Sequence, residues 1–412
     1  IPLPDPAKMF SAQLELMQDY QNLWLNTTSR MLGQEIKEPD IEPASDDFRF
    51  KDSEWLDSPI FNFIMQSYLL NTKWLWSVVG DIEGLDELGK AKMEFYTRMI
   101  TEAFAPTNNA FTNPMVVREI MQTKGQNLVQ GFENYIEDLK DGYDMMRPRQ
   151  TDLSAFEVGE NIATAEGSVV FETPFMQLIQ FAPTTDKVYK KPLMIVPPWI
   201  NKFYILDLRE DNSFIRWAVG KGYTVFVISW VNPDESFADK SFDDYTAGGI
   251  FAALEAIERA TGEKQVTAIG YCIGGTLLAA TLAYLAATED DRISAVTFFA
   301  AQVDFAKAGE LLIFSDEAQI SMLEREVRDV GYLDGAKMAA TFNALRANDL
   351  IWYFVINNYL MGKEPPVFDL LYWNSDSTRF PYRMLFDYLR NLYQKNLLSQ
   401  PGGFELLGEK ID

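Results

Sequence analysis

The stretch Gln265-Val266-Thr267-Ala268-Ile269-Gly270-Tyr271-Cys272-Ile273-Gly274-Gly275-Thr276-Leu277-Leu278 decides the architecture. Its first half, residues 265–270, is a short apolar run with the character of a buried strand. Residues 273–287 are apolar nearly all round, as in a helix packed beside a sheet. Between the two the chain must turn sharply, and Gly270, Gly274 and Gly275 flank the turn. Outward from here, residues 192–196 and 223–230 read as two earlier strands and residues 293–300 as a fourth. Residues 241–261 read as a helix. Ser241 and Asp244 have capping-box spacing, with Asp in place of Glu or Gln. Glu255 and Arg259 can pair at i,i+4, and Gly262 sits at the stop. Strand, helix, strand, helix, strand predicts right-handed crossovers and a mostly parallel sheet.

The region before this pattern differs from it. Residues 8–150 carry helical periodicity and little strand signal, starting with Phe10, Leu14, Met17, Leu23 and Trp24. The plain reading of such stripes is a helical core; the sharper one is a docking face, and exposure decides between them. Residues 35–47 form an acidic, proline-containing linker. Residues 60–79 are broken by Asn62, Gln66, Asn71 and Lys73 and are too polar for a membrane span. After the fourth strand, aromatic-rich helical segments suggest a cap. The expected division is a helical N-terminal domain over 1–155 and an α/β domain over 156–412, with the cap at about 304–395.

Bulk composition narrows the function classes. With 36 basic and 60 acidic residues the formal charge is −24, which argues against binding a nucleic-acid backbone. The single cysteine excludes an internal disulfide and suits a reducing, cytoplasmic compartment. The chain has no histidine, so a histidine-ligated metal and a Cys-His pair within these residues are excluded. No metal is expected. The chain starts at Ile1-Pro2-Leu3-Pro4 and stops at Asp412, where a strand could be about to begin; both ends read as cut.

Gly270-Tyr271-Cys272-Ile273-Gly274 has the form of a nucleophile elbow, with cysteine in the nucleophile's place. Side chains two positions either side of the nucleophile would clash in so tight a turn, hence the glycines. The turn sets Cys272 at a helix N-terminus, where free N–H groups and the dipole favour a thiolate. The Ile273 N–H is then aimed at a developing oxyanion. Pro197-Pro198-Trp199-Ile200-Asn201 follows an earlier strand, and the Ile200 N–H is the candidate second donor. The bland readings are a buried, inert cysteine and a plain strand-ending turn.

Several segments together resemble the polyhydroxyalkanoate synthase family. They are residues 197–208, Ser229-Trp230-Val231-Asn232-Pro233-Asp234, Gly270-Tyr271-Cys272-Ile273-Gly274-Gly275, Asn348-Asp349-Leu350-Ile351-Trp352, residues 368–376 and Gln66-Ser67-Tyr68-Leu69-Leu70. The resemblance covers roughly residues 50–410, and the long helical N-terminal region is similar to the single-subunit synthases, class I above all. It implies an α/β-hydrolase fold with a helical cap. It also implies an acyltransferase that joins (R)-3-hydroxyacyl units from coenzyme A thioesters into poly-3-hydroxybutyrate-like polyester and releases coenzyme A. Cys272 would carry the acyl group, and no cofactor is needed because the coenzyme A thioester is the substrate. Implied partners are the growing polyester, the granule surface in the cytoplasm, and a second copy in a homodimer.

The chain departs from the family in one respect. Members use a histidine base and a supporting aspartate in loops after later strands. This chain holds no histidine, and Asp304, Asp349 and Asp376 lie in no segment matching the family's aspartate. The expected reading is that the last strands are missing and that these residues alone polymerise poorly. The rivals are a granule-surface scaffold of the same fold that lost its base, and another cysteine hydrolase, such as a thioesterase or a dienelactone-hydrolase-like enzyme.

Overall fold

A computed structural model describes residues 4–34 and 41–412. Residues 1–3 and residues 35–40 of the acidic linker lie outside the described residues. The chain forms two compact units, Ile1–Gln150 with Ala340–Pro366, and Thr151–Ala339 with Val367–Asp412. The first boundary thus falls at 150/151, where 155/156 was expected. The expected cap is also divided, because Ala340–Pro366 belongs to the first unit.

The first unit is helical, with α1 (Pro6–Met31), α2 (Glu54–Asp57), α3 (Pro59–Gly80), α4 (Glu87–Ala103), α5 (Pro114–Thr123) and α6 (Gln126–Lys140). The polar residues that interrupt α3 tie it to its neighbours. Lys73 pairs with Glu15 at 2.9 Å and Asn71 donates to the Tyr20 hydroxyl at 2.6 Å, both on α1. Asn62, buried, donates to the Trp55 carbonyl at 3.1 Å. The stripe on α1 divides: Leu23 is fully buried, but Phe10, Leu14, Met17 and Trp24 are exposed. The core reading of those four is therefore corrected to an uncovered apolar face. Residues 355–360 join this unit by docking on α6. Tyr359 donates to Asp138 at 2.7 Å, and Asn127 donates to the Leu360 carbonyl at 2.8 Å.

The second unit is built on a six-stranded sheet of order β1-β2-β4-β3-β5-β6. The strands are β1 (Gly167–Glu172), β2 (Met176–Phe181), β3 (Leu193–Val196), β4 (Val225–Trp230), β5 (Val266–Tyr271) and β6 (Ile293–Phe299). β3 to β6 are parallel, as the crossover pattern predicts; β1 and β2 add an antiparallel pair at one edge. Side chains alternate strictly between two cores. Met194, Val196, Phe226 and Ile228 face one, while Leu193, Ile195, Val225 and Val227 face the other. The second core is covered by α7 (Phe214–Gly220) through Ile215, Ala218 and Val219. The first is covered by α8 (Phe242–Tyr245), α9 (Ala252–Thr261) and α10 (Ile273–Ala287).

The helix expected over 241–261 is present with one change. Ser241 and Asp244 make the capping box and Gly262 ends the helix at φ +74°. Between α8 and α9, however, Thr246–Phe251 widens into a π-helical turn. There Gly248 and Gly249 press on the rings of Phe175 and Trp230; a Cβ on either would lie 2.4 Å from a ring atom. Arg259 does not reach the Glu255 carboxylate. It donates to the Glu255 carbonyl at 3.3 Å, and its guanidinium sits over Phe171 at 5.2 Å.

Beyond β6 come α11 (Glu317–Val327), β7 (Tyr332–Leu333), α12 (Gly335–Leu345), α13 (Asp369–Ser375), β8 (Phe380–Pro381) and α14 (Tyr382–Asp387). β9 (Phe404–Leu406) and β10 (Glu409–Ile411) pair as a hairpin. Its turn, Leu407-Gly408, has positive φ at both positions, the conformation that a tight hairpin requires. The end of the chain is therefore already strand, where a strand was expected only to begin. Among the described residues no helix is long and apolar enough to cross a membrane.

Candidate active site

Parallel pairing brings the two expected site segments together. β3 and β5 are neighbours, with Val196 opposite Gly270, so the loop after β3 and the turn after β5 leave the same edge side by side. Sites in open α/β sheets form at such carboxyl ends. Cys272 occupies the turn with φ +53° and ψ −129°. A side-chain-bearing residue in so sparsely populated a conformation costs about 1–3 kcal/mol and persists only when its surroundings hold it. They do so on both sides. The Cys272 N–H donates to the Phe299 carbonyl at 2.9 Å, and its carbonyl accepts from the N–H groups of Gly275 at 2.9 Å and Thr276 at 3.2 Å.

The flanking glycines are required by backbone contact. A Cβ on Gly270 would lie 2.6 Å from the Gly275 Cα, and one on Gly274 2.3 Å from the Pro197 carbonyl oxygen. One on Gly275 would meet the Ala301 Cβ at 2.5 Å. Gly274 therefore lets the start of α10 rest directly on the loop that follows β3. That loop is fixed in turn: the Trp230 indole N–H donates to the Pro197 carbonyl at 2.8 Å.

The thiol's electrostatics depart from the helix argument. Burial pushes the Cys272 thiol above its ordinary pKa, and the Ile273 N–H, which favours the thiolate, only partly offsets this. Dehydration of a buried anion outweighs one amide and the dipole end. Two phenols missed in the sequence stand close by. Burial pushes Tyr393 up to about 12, and the nearby Cys272 charge adds to it; Tyr388 is raised further, also chiefly by burial. Their rings pack on Phe305, at 4.9 Å for Tyr393 and 5.8 Å for Tyr388. Tyr388 also meets Trp199 edge-on at 6.0 Å. The thiol thus stands near two phenols whose rings are held by Phe305 and Trp199, from two other stretches of chain. The sequence shows these aromatic residues but not that they meet the thiol.

Ile200 is buried in the β3 loop, and its own carbonyl accepts the Thr378 N–H at 3.2 Å. The three aspartates that match no family segment each have a structural partner. Asp304 accepts from Asn396 at 2.7 Å and Asp376 accepts from the Tyr204 hydroxyl at 2.7 Å. Asp349 pairs with Arg346 and lies in the first unit. Taken as chemistry, the site offers a nucleophilic thiol with backbone amides at two strand ends. Among the described residues no base from the histidine class can serve it, because the chain has none.

A family model described as the N-terminus of poly-beta-hydroxybutyrate polymerase (PhaC) matches residues 46–218, and one for the alpha/beta hydrolase fold matches residues 197–397. The poly(3-hydroxyalkanoate) polymerase of Methylorubrum extorquens is 50% identical over 398 residues, which are 97% of this chain and 66% of that protein. The polymerase subunit PhaC of Rhizobium meliloti (strain 1021) is 48% identical, covering 99% of this chain and 67% of its own length. That of Cupriavidus necator is 37% identical, covering 99% and 68%. The chain thus spans about two thirds of the length of these relatives. With an α/β-hydrolase fold and this level of identity along nearly all its residues, the chain belongs to the poly(3-hydroxyalkanoate) polymerase family.

Proposed function

We propose that this chain performs the acylation half of polyester synthesis, taking an (R)-3-hydroxyacyl group from a coenzyme A thioester onto Cys272. The observation that carries the reading is Cys272 itself, held at φ +53° in a turn whose flanking glycines admit no Cβ. The Sγ thiolate adds to the thioester carbonyl. The resulting oxyanion is held by the N–H groups of Ile273 and Ile200, and the carbon–sulfur bond to coenzyme A breaks. The leaving thiolate takes up a proton from solvent, matching the one the Cys272 thiol released on ionising. Nucleophile and leaving group are chemically alike, so the exchange is near balanced, and it asks for no cofactor.

The second half, attack of a hydroxyl on the Cys272 thioester, needs a base, and we place that base outside these 412 residues. Two observations support this: the chain lacks histidine, and β6 lies at the open edge of the sheet with Ala295, Thr297 and Phe298 exposed. The uncovered stripe on α1 supports contact with an apolar surface, a polyester granule in the cytoplasm or a second copy of the chain.

The test is a single-turnover incubation with (R)-3-hydroxybutyryl-coenzyme A. One equivalent of coenzyme A should be released, with the acyl mass located on the Cys272 peptide, and Cys272→Ala should show neither. Acylation elsewhere refutes the site. Steady polymer growth refutes the missing base, and repeated release of free acid favours a thioesterase.

A further inference from the structure

The amide of Ile200 can serve as an oxyanion donor only if its peptide plane is fixed, and the structure shows what fixes it. We propose that Thr378 is a positioning residue that aims the Ile200 N–H toward the reacting carbonyl; this rests on the reading of Cys272 and Ile200 above. The peptide that carries the Ile200 N–H carries the Trp199 carbonyl at its other edge. Among the described residues no peptide bond is cis, and in a planar trans peptide the two groups point in opposite directions. Whatever holds the carbonyl therefore sets the direction of the N–H.

The Thr378 hydroxyl donates to the Trp199 carbonyl at 3.0 Å, and the Thr378 N–H donates to the next carbonyl, that of Ile200, at 3.2 Å. Two successive carbonyls are thus pinned by one residue, which fixes the peptide that carries the Ile200 N–H and the one that follows it. Thr378 is only 2% exposed, so water does not compete for these bonds and each is stronger than at a surface. The same short segment grips the loop on either side. Ser377 bridges Asn201, the Trp373 indole donates to the Lys202 carbonyl at 2.7 Å, and Asp376 accepts the Tyr204 hydroxyl at 2.7 Å. The Trp199 ring itself is fully buried. A donor held this way is already in place when charge develops and needs no reorganisation, which is where oxyanion stabilisation gains its strength.

The test compares Thr378→Val, which keeps the shape and removes the hydroxyl, with Thr378→Ser, which keeps the hydroxyl. Two rates are read on each. One is first-turnover release of coenzyme A from (R)-3-hydroxybutyryl-coenzyme A. The other is alkylation of Cys272 by iodoacetamide, which develops no oxyanion. Losing an oxyanion donor outright costs about 100- to 1000-fold, so a misaimed one should cost about 10- to 100-fold. Thr378→Val should lose that much in acyl transfer, with its alkylation rate close to that of the unaltered chain. Thr378→Ser should recover most of the transfer. Equal losses in both reactions would indicate general disruption and overturn the proposal. So would an unchanged transfer rate in Thr378→Val, or a serine variant no better than the valine. Cys272→Ala separates the two readings. If it still releases coenzyme A, or if the unaltered chain releases none, the Cys272 reading fails and this one with it. If release depends on Cys272 but not on the Thr378 hydroxyl, the positioning role alone fails.

Discussion

Cys272 is placed under two opposed influences, an amide-rich helix start that favours its thiolate and a dry surround that disfavours it. The second wins, and its pKa is raised. A raised thiol pKa means less nucleophile at neutral pH, so reactivity should climb with pH past the range of an exposed thiol. The iodoacetamide alkylation rate should therefore reach its midpoint above the free-thiol value of about 8.5. A midpoint below that value would show the helix start prevailing. The identity of this residue was legible because a glycine two positions before and another two positions after a lone cysteine, between a strand run and a helix run, is what a sharp strand-to-helix turn demands. The sign of its pKa shift was not legible. The phenols of Tyr388 and Tyr393 that stand near it come from more than a hundred positions later, at spacings no local pattern carries.

At the scale of elements, the strand–turn–helix unit of β5, Cys272 and α10 depends on contact between backbones. Gly274→Ala would set a Cβ 2.3 Å from the Pro197 carbonyl oxygen. Neither partner is a flexible side chain, so β3 and α10 would have to part, at a cost of about 3 kcal/mol or more. Gly262→Ala is the control. Gly262 also has positive φ, at +74°, but a Cβ there would meet nothing within 4 Å. Only the conformational cost of about 1–2 kcal/mol remains. Urea unfolding midpoints should rank the two variants in that order; equal midpoints would show that the elbow can relax. β3, β4 and β5 were readable because strands covered on both faces are continuous apolar runs, and β6 because it too is a short, largely apolar run, although it lies at the sheet edge. β1 and β2 were missed because β1 is exposed along nearly its whole length, β2 is only partly buried, and Thr173-Pro174 separates the two. The π-helical turn over Thr246–Phe251 was missed as well, since only the rings of Phe175 and Trp230 pressing on it call for it.

Across the whole molecule, acid stability should depend on buried carboxylates tied to distant partners, and Asp369 is the clearest. Burial raises its pKa, but hydrogen bonds from Asn212 and Arg209, each at 2.8 Å, together with the Leu370 N–H outweigh it and leave it lowered. A lowered carboxyl pKa contributes stability above the unfolded value of about 3.9, which is lost as pH falls through the folded pKa. Asp369→Asn should thus cost about 2 kcal/mol at pH 7, and the difference from the unaltered chain should shrink at pH 3. A urea-unfolding difference independent of pH would refute the charge argument. The sequence alone determined the sheet's parallel core, the elbow and the helical character of residues 8–150, because those depend on periodicity and on glycine, which are local. It could not determine that residues 340–366 join the helical unit, that the α1 stripe stays uncovered or that Thr378 holds the Trp199 carbonyl. Each of those is a pairing between segments far apart in sequence, and such pairings are settled only when the chain closes on itself.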